Sequence, residues 1–492
     1  MATATDPAVK SYDRILIGGH WVEPATDDRI DVISPVSEEV LATVPDASVV
    51  DMDAAVAAAR AAFDDGPWRW MSPAERAGYL LRVAAELHKR VPDMARAFTA
   101  EIGAPTAVSE AFHAGCIDIW NDAAALHERV PFEERRTWST ELGLQEALIL
   151  REPVGVVGAI IPWNGPVAIA ALKLAPALAA GCTVVLKPAA DGPISTLIMA
   201  EALEAAELPD GVISVLPGGR EVGEHLVRHP GVDKVSFTGS TAAGRRIMSL
   251  CGERIARVTL ELGGKSAGIV CDDIPLEQVL PTLLPGGFAH SGQVCAAITR
   301  LLVSRKRHDE FVDASSAMLS SLKVGDPTEP DTVLGPLVAE RQRDRVEMYI
   351  AAGKAEDAQL VTGGGRPAGL EKGWFIQPTL FANVSNTMRI AREEIFGPVL
   401  SVIPYDDVDH AIAIANDSDY GLAGSVYTTD PALGEHIARR VRTGQVFVNA
   451  TGVCTAQPFG GFKQSGLGRE GNIEGIQPYL ETKVIQGISP RV

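Results

Sequence analysis

The amino-acid sequence predicts an α/β fold with parallel sheets and more than one domain. Between positions 154 and 250, short apolar runs alternate with segments whose apolar residues recur at helical spacing. Alternating strands and helices form right-handed crossovers, and these build a parallel sheet. A chain of 492 residues is also too long for one hydrophobic core, so two or three domains are expected.

This alternating block contains four predicted strands and four predicted helices. The strands are 154–161, 183–186, 212–216 and 234–237, and the helices are 168–180, 194–206, 220–228 and 242–250. Ligands bind beyond the carboxyl ends of the strands in such sheets. The residues that follow these strands are therefore the first candidates for a binding site.

The flanking segments contain further predicted elements. Two apolar runs around Gly18 and Gly19 predict a hairpin over 15–22, and helices are predicted over 51–63 and 73–91. A second α/β block begins near Ser266 and includes predicted strands at 399–403 and 446–448. Two segments, 142–150 and 479–488, lie outside both blocks.

Composition excludes several classes of function. With 46% hydrophobic and 22% charged residues the chain is an ordinary globular protein. Its net charge of −19 repels phosphate backbones, so nucleic-acid binding is not expected. The stretch 154–172 is uncharged and long enough to cross a bilayer, but Pro162 and Pro166 break any helix there. We therefore expect no membrane segment.

The six cysteines indicate a reducing compartment. They form no CxxC pair and no Cys/His spacing typical of zinc, so no metal site is predicted. Scattered single cysteines are typical of reduced cytosolic proteins. The first residues, Met1–Asp6, lack the charged and apolar regions of a signal peptide. A cytoplasmic location is expected.

Cys295 and Glu261 suggest covalent catalysis. A thiol on a glycine-containing loop and a carboxylate beside a Gly-Gly turn are the two parts that such chemistry needs. A lone cysteine is usually a small buried hydrophobe, and that interpretation suits Cys116, Cys182 and Cys251 as well as Cys271. Ala296 and Ala297 suit a helix start, whose dipole would lower the pKa of the Cys295 thiol.

Six segments in order strengthen this interpretation. They are Pro162–Asn164, Phe237–Thr241, Glu261–Ser266, Phe288–Cys295, Glu394–Pro398 and Pro458–Lys463. Together they resemble the aldehyde dehydrogenase superfamily, and the resemblance runs from about Leu16 to Ile485. It implies a Rossmann-like parallel-sheet cofactor domain, an α/β catalytic domain and a small β oligomerisation element.

The resemblance also places the domain boundaries. The cofactor-binding domain would comprise residues 1–131, 151–262 and 463–477, and the catalytic domain residues 263–462. Residues 132–150 and 478–492 would form the oligomerisation element, which pairs as strands between subunits in this family. Ordinary surface strands are the alternative. A homodimer or homotetramer is implied.

Three residues receive catalytic roles from the resemblance. Cys295 would be the nucleophile that makes an aldehyde carbon tetrahedral, and Glu261 the general base that activates water to hydrolyse the thioester. Asn164 and the Cys295 backbone N–H would donate to the oxyanion, a type of contact worth about 3 kcal/mol in the transition state. A surface glutamate and a turn asparagine are the alternatives.

The implied cofactor is NAD, with NADP possible. Gly239 and Ser240 open a predicted helix, a context that binds phosphate, and Lys187 would bond the adenosine ribose. Many relatives have glutamate where this chain has Ala190, and that carboxylate repels a 2′-phosphate. The remaining cofactor positions implied are Ile160, Pro162, Trp163, Gly263, Glu394 and Phe396.

The substrate pocket departs from the pattern of related detoxifying enzymes. Gly165, Ala289 and Val453 stand where aromatic residues are usual, and Phe459 is the fourth predicted pocket residue. Missing rings widen a pocket and leave it apolar, unless other loops refill the space. No arginine in these segments would meet a substrate carboxylate.

The predicted function is oxidation of an aldehyde, bulky and apolar, to a carboxylic acid with NAD(P). A CoA-acylating relative is one alternative, but such members often lack the glutamate present here as Glu261. A structural or binding protein on the same fold is another, although it would have no chemical need for Asn164, Glu261, Cys295 and Glu394 together.

Overall fold

The computed structural model describes residues 9–141 and 143–487. The expectation that Met1–Asp6 form no signal peptide therefore concerns residues outside the described ranges. Position 142 and residues 488–492 of the predicted oligomerisation element also lie outside them. Within the described ranges, no helix combines the length and the apolar character that crossing a membrane requires.

The described residues contain 22 strands. They are β1 (Ile15–Ile17), β2 (His20–Val22), β3 (Arg29–Ile33), β4 (Val40–Pro45), β5 (Glu133–Thr140), β6 (Gly143–Pro153), β7 (Val156–Ile160), β8 (Thr183–Lys187), β9 (Ile213–Val215), β10 (Lys234–Thr238), β11 (Arg257–Glu261), β12 (Ser266–Val270), β13 (Ile298–Ser304), β14 (Gln359–Thr362), β15 (Thr379–Ala382), β16 (Val399–Tyr405), β17 (Tyr420–Gly421), β18 (Ala423–Tyr427), β19 (Gln445–Val448), β20 (Phe462–Lys463), β21 (Gly466–Leu467) and β22 (Leu480–Gln486).

The same residues contain 14 α-helices. They are α1 (Val49–Asp64), α2 (Pro73–Ile102), α3 (Thr106–Ala125), α4 (Pro166–Ala180), α5 (Ile194–Ala205), α6 (Arg220–Arg228), α7 (Thr241–Arg254), α8 (Leu276–Phe288), α9 (His308–Ser320), α10 (Glu340–Ala355), α11 (Arg389–Arg392), α12 (Val408–Asn416), α13 (Pro431–Arg440) and α14 (Asn472–Ile476).

The first large sheet has the order β2-β1-β9-β8-β7-β10-β11-β21. Its five central strands run parallel to one another, in the order β9, β8, β7, β10 and β11. The strands β7 and β8 are buried along their whole length, because helices cover both faces, as is usual for parallel sheets. This confirms the predicted α/β architecture of the first block.

The second large sheet has the order β14-β15-β16-β13-β12-β18-β19. All its pairs are parallel except β14 with β15. Only residues 262–265 separate β11 of the first sheet from β12 of the second. The carboxyl end of β11 therefore lies against the start of the second sheet.

A third sheet, β22-β6-β5, is antiparallel. The two segments that lay outside the predicted α/β blocks thus pair with each other inside one chain. Leu144 and Val484 on this sheet are exposed. Pairing with another subunit, and the domain boundaries, stay predictions.

Two local predictions were wrong. The helix expected to end at Val91 continues through Pro92 to Ile102, although this proline lacks the N–H that would donate to the His88 carbonyl. No helix begins after Cys295: Ala297 N–H donates to the Val294 carbonyl at 3.1 Å, which closes a turn, and β13 starts at Ile298.

Candidate active site

Two cavities meet at Cys295. The front cavity, about 270 Å³, is bounded by Pro162, Trp163, Gly239 and Ser240, by Gly263, and by Glu394 and Phe396. The rear cavity, about 590 Å³, lies between α3, α4 and α8 and the segment 451–459. Asn164, Thr238, Leu262 and Cys295 line both cavities. The thiol therefore stands where a space that includes the Glu394 carboxylate opens into a more apolar one.

The Cys295 loop has an unusual backbone. His290 and Ser291 have positive φ angles of 52° and 54°, and Gly292 has 73°. A side chain at Gly292 would begin 2.2 Å from the Gly397 carbonyl oxygen, so only glycine fits there. This packing fixes the approach to the half-buried Cys295.

The surroundings of Cys295 stabilise the neutral thiol. Burial, followed by the charges of Glu394 and Glu261, raises the pKa of Cys295 to about 12, while the backbone N–H groups of Cys295 and Ala296 oppose the shift. The expectation of a lowered thiol pKa was wrong, because the helix that should have supplied the dipole is absent from this turn. The thiol must therefore lose its proton before the sulfur can act as a nucleophile.

Glu261 is the candidate general base of this cavity. It ends β11, is 2% exposed and lines the rear cavity. Neither carboxylate oxygen has a hydrogen-bond partner among the described residues. Burial, and then the charge of Glu470, raise its pKa well above the usual carboxyl range, against the effects of Lys173 and Arg469. A buried carboxylate without partners, facing a cavity, is poised for proton transfer.

Sequence analysis missed a buried polar network beside Glu261. The Lys173 ammonium donates to Glu470 Oε1 at 2.5 Å and lies 3.4 Å from Ser236 Oγ, to which the Tyr479 hydroxyl donates at 3.2 Å. Lys173 and Glu470 are separated by 297 positions. No local sequence pattern could have joined them.

Gly263 and Gly264 let the Glu394 carboxylate and the Cys295 backbone lie close to the turn between them. Gly264 N–H donates to Glu394 Oε1 at 3.0 Å, and a side chain at Gly263 would meet the Glu394 carboxylate at 2.4 Å. A side chain at Gly264 would begin 2.5 Å from the Cys295 carbonyl oxygen. The Gly-Gly turn thus serves close backbone approach from both sides.

Asn164 lies between β7 and α4 and faces the Cys295 loop. Its Nδ2 donates to the Gln293 carbonyl at 2.9 Å, so the amide is fixed against the loop that carries the thiol. Gly165, the N-cap residue of α4, follows it directly. The structure brings Asn164, Glu261 and Cys295 to the wall of one cavity.

Two residues that the sequence did not predict, Gln342 and Arg345, hold the wall of the front cavity. Gln342 Nε2 donates to the Phe396 carbonyl at 2.7 Å, and Arg345 donates to the Glu394 carbonyl at 2.5 Å. Trp163 and Phe396 make an edge-on ring contact at 5.6 Å. Burial raises the pKa of Glu394, which Gly264 N–H opposes.

A helix cleft of about 370 Å³ adjoins the front cavity at Ser240. It lies between α6 and α7 and is lined by Ile160 and Lys187. Burial lowers the pKa of Lys187 to about 8, and Asp46 and Asp191 oppose this. Arg341 of α10 forms an ion pair with Asp191. The nine predicted cofactor positions therefore line two adjoining spaces.

The four predicted pocket residues, Gly165, Ala289, Val453 and Phe459, all line the rear cavity. Val453 is 45% exposed and Phe459 is buried, which places the first near solvent and the second deeper inside. The sequence missed the contribution of α3, which adds Phe112, Cys116 and Ile119 to the wall.

One group of side chains among the described residues has metal-ligating spacing: Asp53, His225 and His229. Both imidazole Nε2 atoms face Asp53 Oδ1, at 2.6 and 3.4 Å. Gly231 N–H donates to His229 Nδ1, which leaves the ring proton of a neutral His229 on Nε2. That arrangement suits hydrogen bonds to Asp53 better than ligation.

Comparison with known proteins identifies the family. The model of the aldehyde dehydrogenase family matches residues 21–485. The chain belongs to the aldehyde dehydrogenase family. It is an oxidoreductase that oxidises aldehydes, which confirms the predicted resemblance and favours an enzyme over a purely structural protein.

The relatives include a geranial dehydrogenase of Castellaniella defragrans, 45% identical over 475 residues that cover 96% of this chain and 98% of the relative. A Mycobacterium tuberculosis aldehyde dehydrogenase complexed with NAD+ matches with a TM-score of 0.95 and 46% identity, over 98% and 100% of the two chains. A mutant aldehyde dehydrogenase C of Pseudomonas syringae, complexed with NAD+ and octanal, matches with a TM-score of 0.94 and 40% identity, over 99% of each chain. These likenesses confirm the predicted fold.

The close approach of Gly264 to Cys295 gives a first prediction. Gly264→Ala should lower kcat/KM for aldehydes at least tenfold, because the added methyl group displaces the Cys295 carbonyl or Leu422, whose Cβ it would meet at 3.2 Å. Gly252→Ala is the matched control: it lies in α7, with no atom within 4 Å of the new methyl group, and should keep wild-type activity. Steady-state kinetics and thermal unfolding of both variants test this. Equal activity would show that the loop tolerates the displacement.

Proposed function

We propose that this chain oxidises bulky apolar aldehydes to carboxylic acids with NAD as cofactor, through a thiohemiacetal and then a thioester on Cys295. The observation that carries the proposal is the position of Cys295, where the front cavity meets the more apolar rear cavity. A cofactor in front and an aldehyde behind would both reach the sulfur.

The residues of the front cavity and helix cleft fit a dinucleotide. Ser240 caps α7, and its side chain accepts from Ala243 N–H at 3.3 Å, while N–H groups of the first helical turn suit a pyrophosphate. A side chain at Gly239 would meet the Phe237 ring at 2.5 Å. Lys187 would hold the adenosine ribose and Glu394 the nicotinamide ribose. The bound cofactor supplies a hydride acceptor.

In the first half-reaction, the thiol proton of Cys295 passes to solvent. The sulfur then bonds to the aldehyde carbon, and the carbonyl electron pair moves to oxygen. Asn164 Nδ2 and the Cys295 N–H donate to that oxyanion. When the oxyanion re-forms the carbonyl, the hydride leaves the carbon and a thioester remains.

In the second half-reaction, Glu261 takes a proton from water. The resulting hydroxide attacks the thioester carbon, and the carbon–sulfur bond breaks, which releases the acid and restores Cys295. The position of Glu261 in the cavity wall favours water over CoA as acceptor. The raised pKa of Glu261 brings this carboxyl nearer to the operating pH, where a general base is most effective.

The rear cavity supports an apolar substrate. No lysine or arginine lines it among the described residues, and its two charged groups, Glu261 and Glu470, repel a substrate carboxylate. The rest of its wall is mostly apolar or small residues, namely alanine, glycine, valine, isoleucine, leucine, proline and phenylalanine, with Asn164, two cysteines and three threonines. Two of the relatives named above are a geranial dehydrogenase and an aldehyde dehydrogenase complexed with octanal. Both of these aldehydes are apolar chains.

Replacement of the nucleophile tests the mechanism. Cys295→Ala should abolish aldehyde oxidation but retain NAD binding, because hydride leaves only from the tetrahedral sulfur adduct. Cys454→Ala, at a half-buried thiol outside both cavities, is the matched control and should stay active. NADH formation and NAD titration by fluorescence measure the two properties. Turnover by Cys295→Ala close to wild type would overturn the mechanism.

The base role predicts separated half-reactions. Glu261→Gln should keep a rapid burst of NADH and then turn over slowly, since water activation limits the second half-reaction. In the wild type, kcat should rise with pH through a range above the usual carboxyl pKa, because the deprotonated form works and burial raises its pKa. The variant should lose that rise. Glu253→Gln, at the surface, is the control; loss of the burst itself would place Glu261 in an earlier step.

Cofactor choice is the fourth test. Both NAD and NADP should support activity, with NAD better, because Ala190 offers no repelling carboxylate and Arg341 engages that of Asp191. Ala190→Glu should lower kcat/KM for NADP at least tenfold and spare NAD, whereas the neutral Ala190→Gln should not discriminate. A wild-type preference for NAD above about a thousandfold, or ~4 kcal/mol, would assign the exclusion to another acid such as Asp46 or Glu224.

Substrate preference is the fifth test. Over a series of straight-chain aldehydes, kcat/KM should increase from acetaldehyde to octanal, because each methylene buried in the rear cavity contributes about 0.8 kcal/mol. A semialdehyde with a terminal carboxylate should be a poor substrate beside an uncharged aldehyde of the same length. A wild-type preference for acetaldehyde would contradict an apolar binding role for this cavity.

A further inference from the structure

The space that Gly165 leaves in the rear cavity is bounded by an aromatic ring from another helix. A side chain at position 165 would begin 3.2 Å from Phe112 Cζ of α3 and 3.7 Å from Ile169 Cδ1 of α4. Phe112 and Gly165 are far apart in sequence, yet both line the cavity. The ring therefore stands beside the residue that follows the oxyanion amide, Asn164.

The Phe112 ring is supported from behind. It stacks on Phe98 with centroids 5.9 Å apart, and meets His113 edge-on at 5.4 Å. Phe98 is 3% exposed and also contacts the ring of His290, at 5.4 Å, on the loop that leads to Cys295. Phe112 is thus fixed to the same buried cluster that supports the thiol loop, although 36% of its surface stays exposed.

We propose that Phe112 is the specificity-determining residue at the carbonyl end of the rear cavity. Its ring limits the breadth of the substrate next to the reacting carbon, so the enzyme selects apolar aldehydes that are unbranched beside the carbonyl. Length stays unrestricted because the cavity wall also includes Val453, which is 45% exposed, so the cavity reaches solvent. This inference rests on the proposed function.

The test uses two aldehydes of equal carbon number, octanal and 2-ethylhexanal. Wild type should favour octanal in kcat/KM. Phe112→Ala should reduce this preference about tenfold, the discrimination that one methylene-sized change in a pocket produces, mainly by lowering KM for the branched isomer. Phe112→Tyr, which keeps an aromatic ring, should keep the wild-type preference for octanal. Val108→Ala is the matched control, since Val108 lies exposed on the same helix outside the cavity.

A second variant separates cavity shape from helix stability. Gly165→Ala places a methyl group 3.2 Å from the ring and should penalise 2-ethylhexanal further. In the Phe112→Ala background the same substitution should change the isomer ratio less than threefold, because the ring it meets is gone. Thermal unfolding shows whether each variant is folded, and the isomer ratio within one protein sample is independent of the folded fraction.

The outcomes distinguish this inference from the proposed function. If wild type oxidises octanal well and Phe112→Ala leaves the isomer ratio unchanged, or alters both substrates equally, Phe112 does not set specificity while the apolar-substrate proposal stands. Additive effects of the two substitutions would also overturn the inference. If wild type favours acetaldehyde over octanal, the proposed substrate class itself fails.

Discussion

The site depends on the short passage from β11 to β12. Glu261 ends a strand of the first sheet, and Ser266 starts a strand of the second after only four residues. A side chain at Gly264 in this passage would begin only 2.5 Å from the Cys295 carbonyl oxygen. The absence of side chains at this turn lets the two sheets bring a base, a thiol and the Glu394 carboxylate into one small volume.

That proximity has an electrostatic consequence. Two buried carboxyls and a buried thiol repel one another when all are charged, and burial disfavours the charged form of each. Burial raises the pKa values of Cys295, Glu261 and Glu394, and the charges of Glu394 and Glu261 raise that of Cys295 further. The surroundings of Cys295 therefore favour the neutral thiol over the thiolate.

The sequence predicted what depends on local pattern and failed where distant segments meet. The strands of the first block follow from apolar runs and turn residues, and were confirmed. The turn after Cys295 was mistaken for a helix, because two alanines favour a helix locally while β13 requires an extended chain three residues later. The Lys173–Glu470 pair and the Phe112–Gly165 contact join residues from separate elements, and one sequence carries no signal for such pairs.

The contrast between the two cavities explains how one thiol can serve two ligands of opposite character. In the front cavity, glycines and helix N–H groups leave polar backbone exposed, which suits a charged cofactor. In the rear cavity, α3 and α4 present apolar side chains, which exclude water from the bound chain. Because only the wall around Asn164 and Cys295 is common to both, substitutions at Phe112 or Ile119 change the shape of the apolar side without touching the polar one. Substrate range can therefore change in this fold while the cofactor site stays fixed.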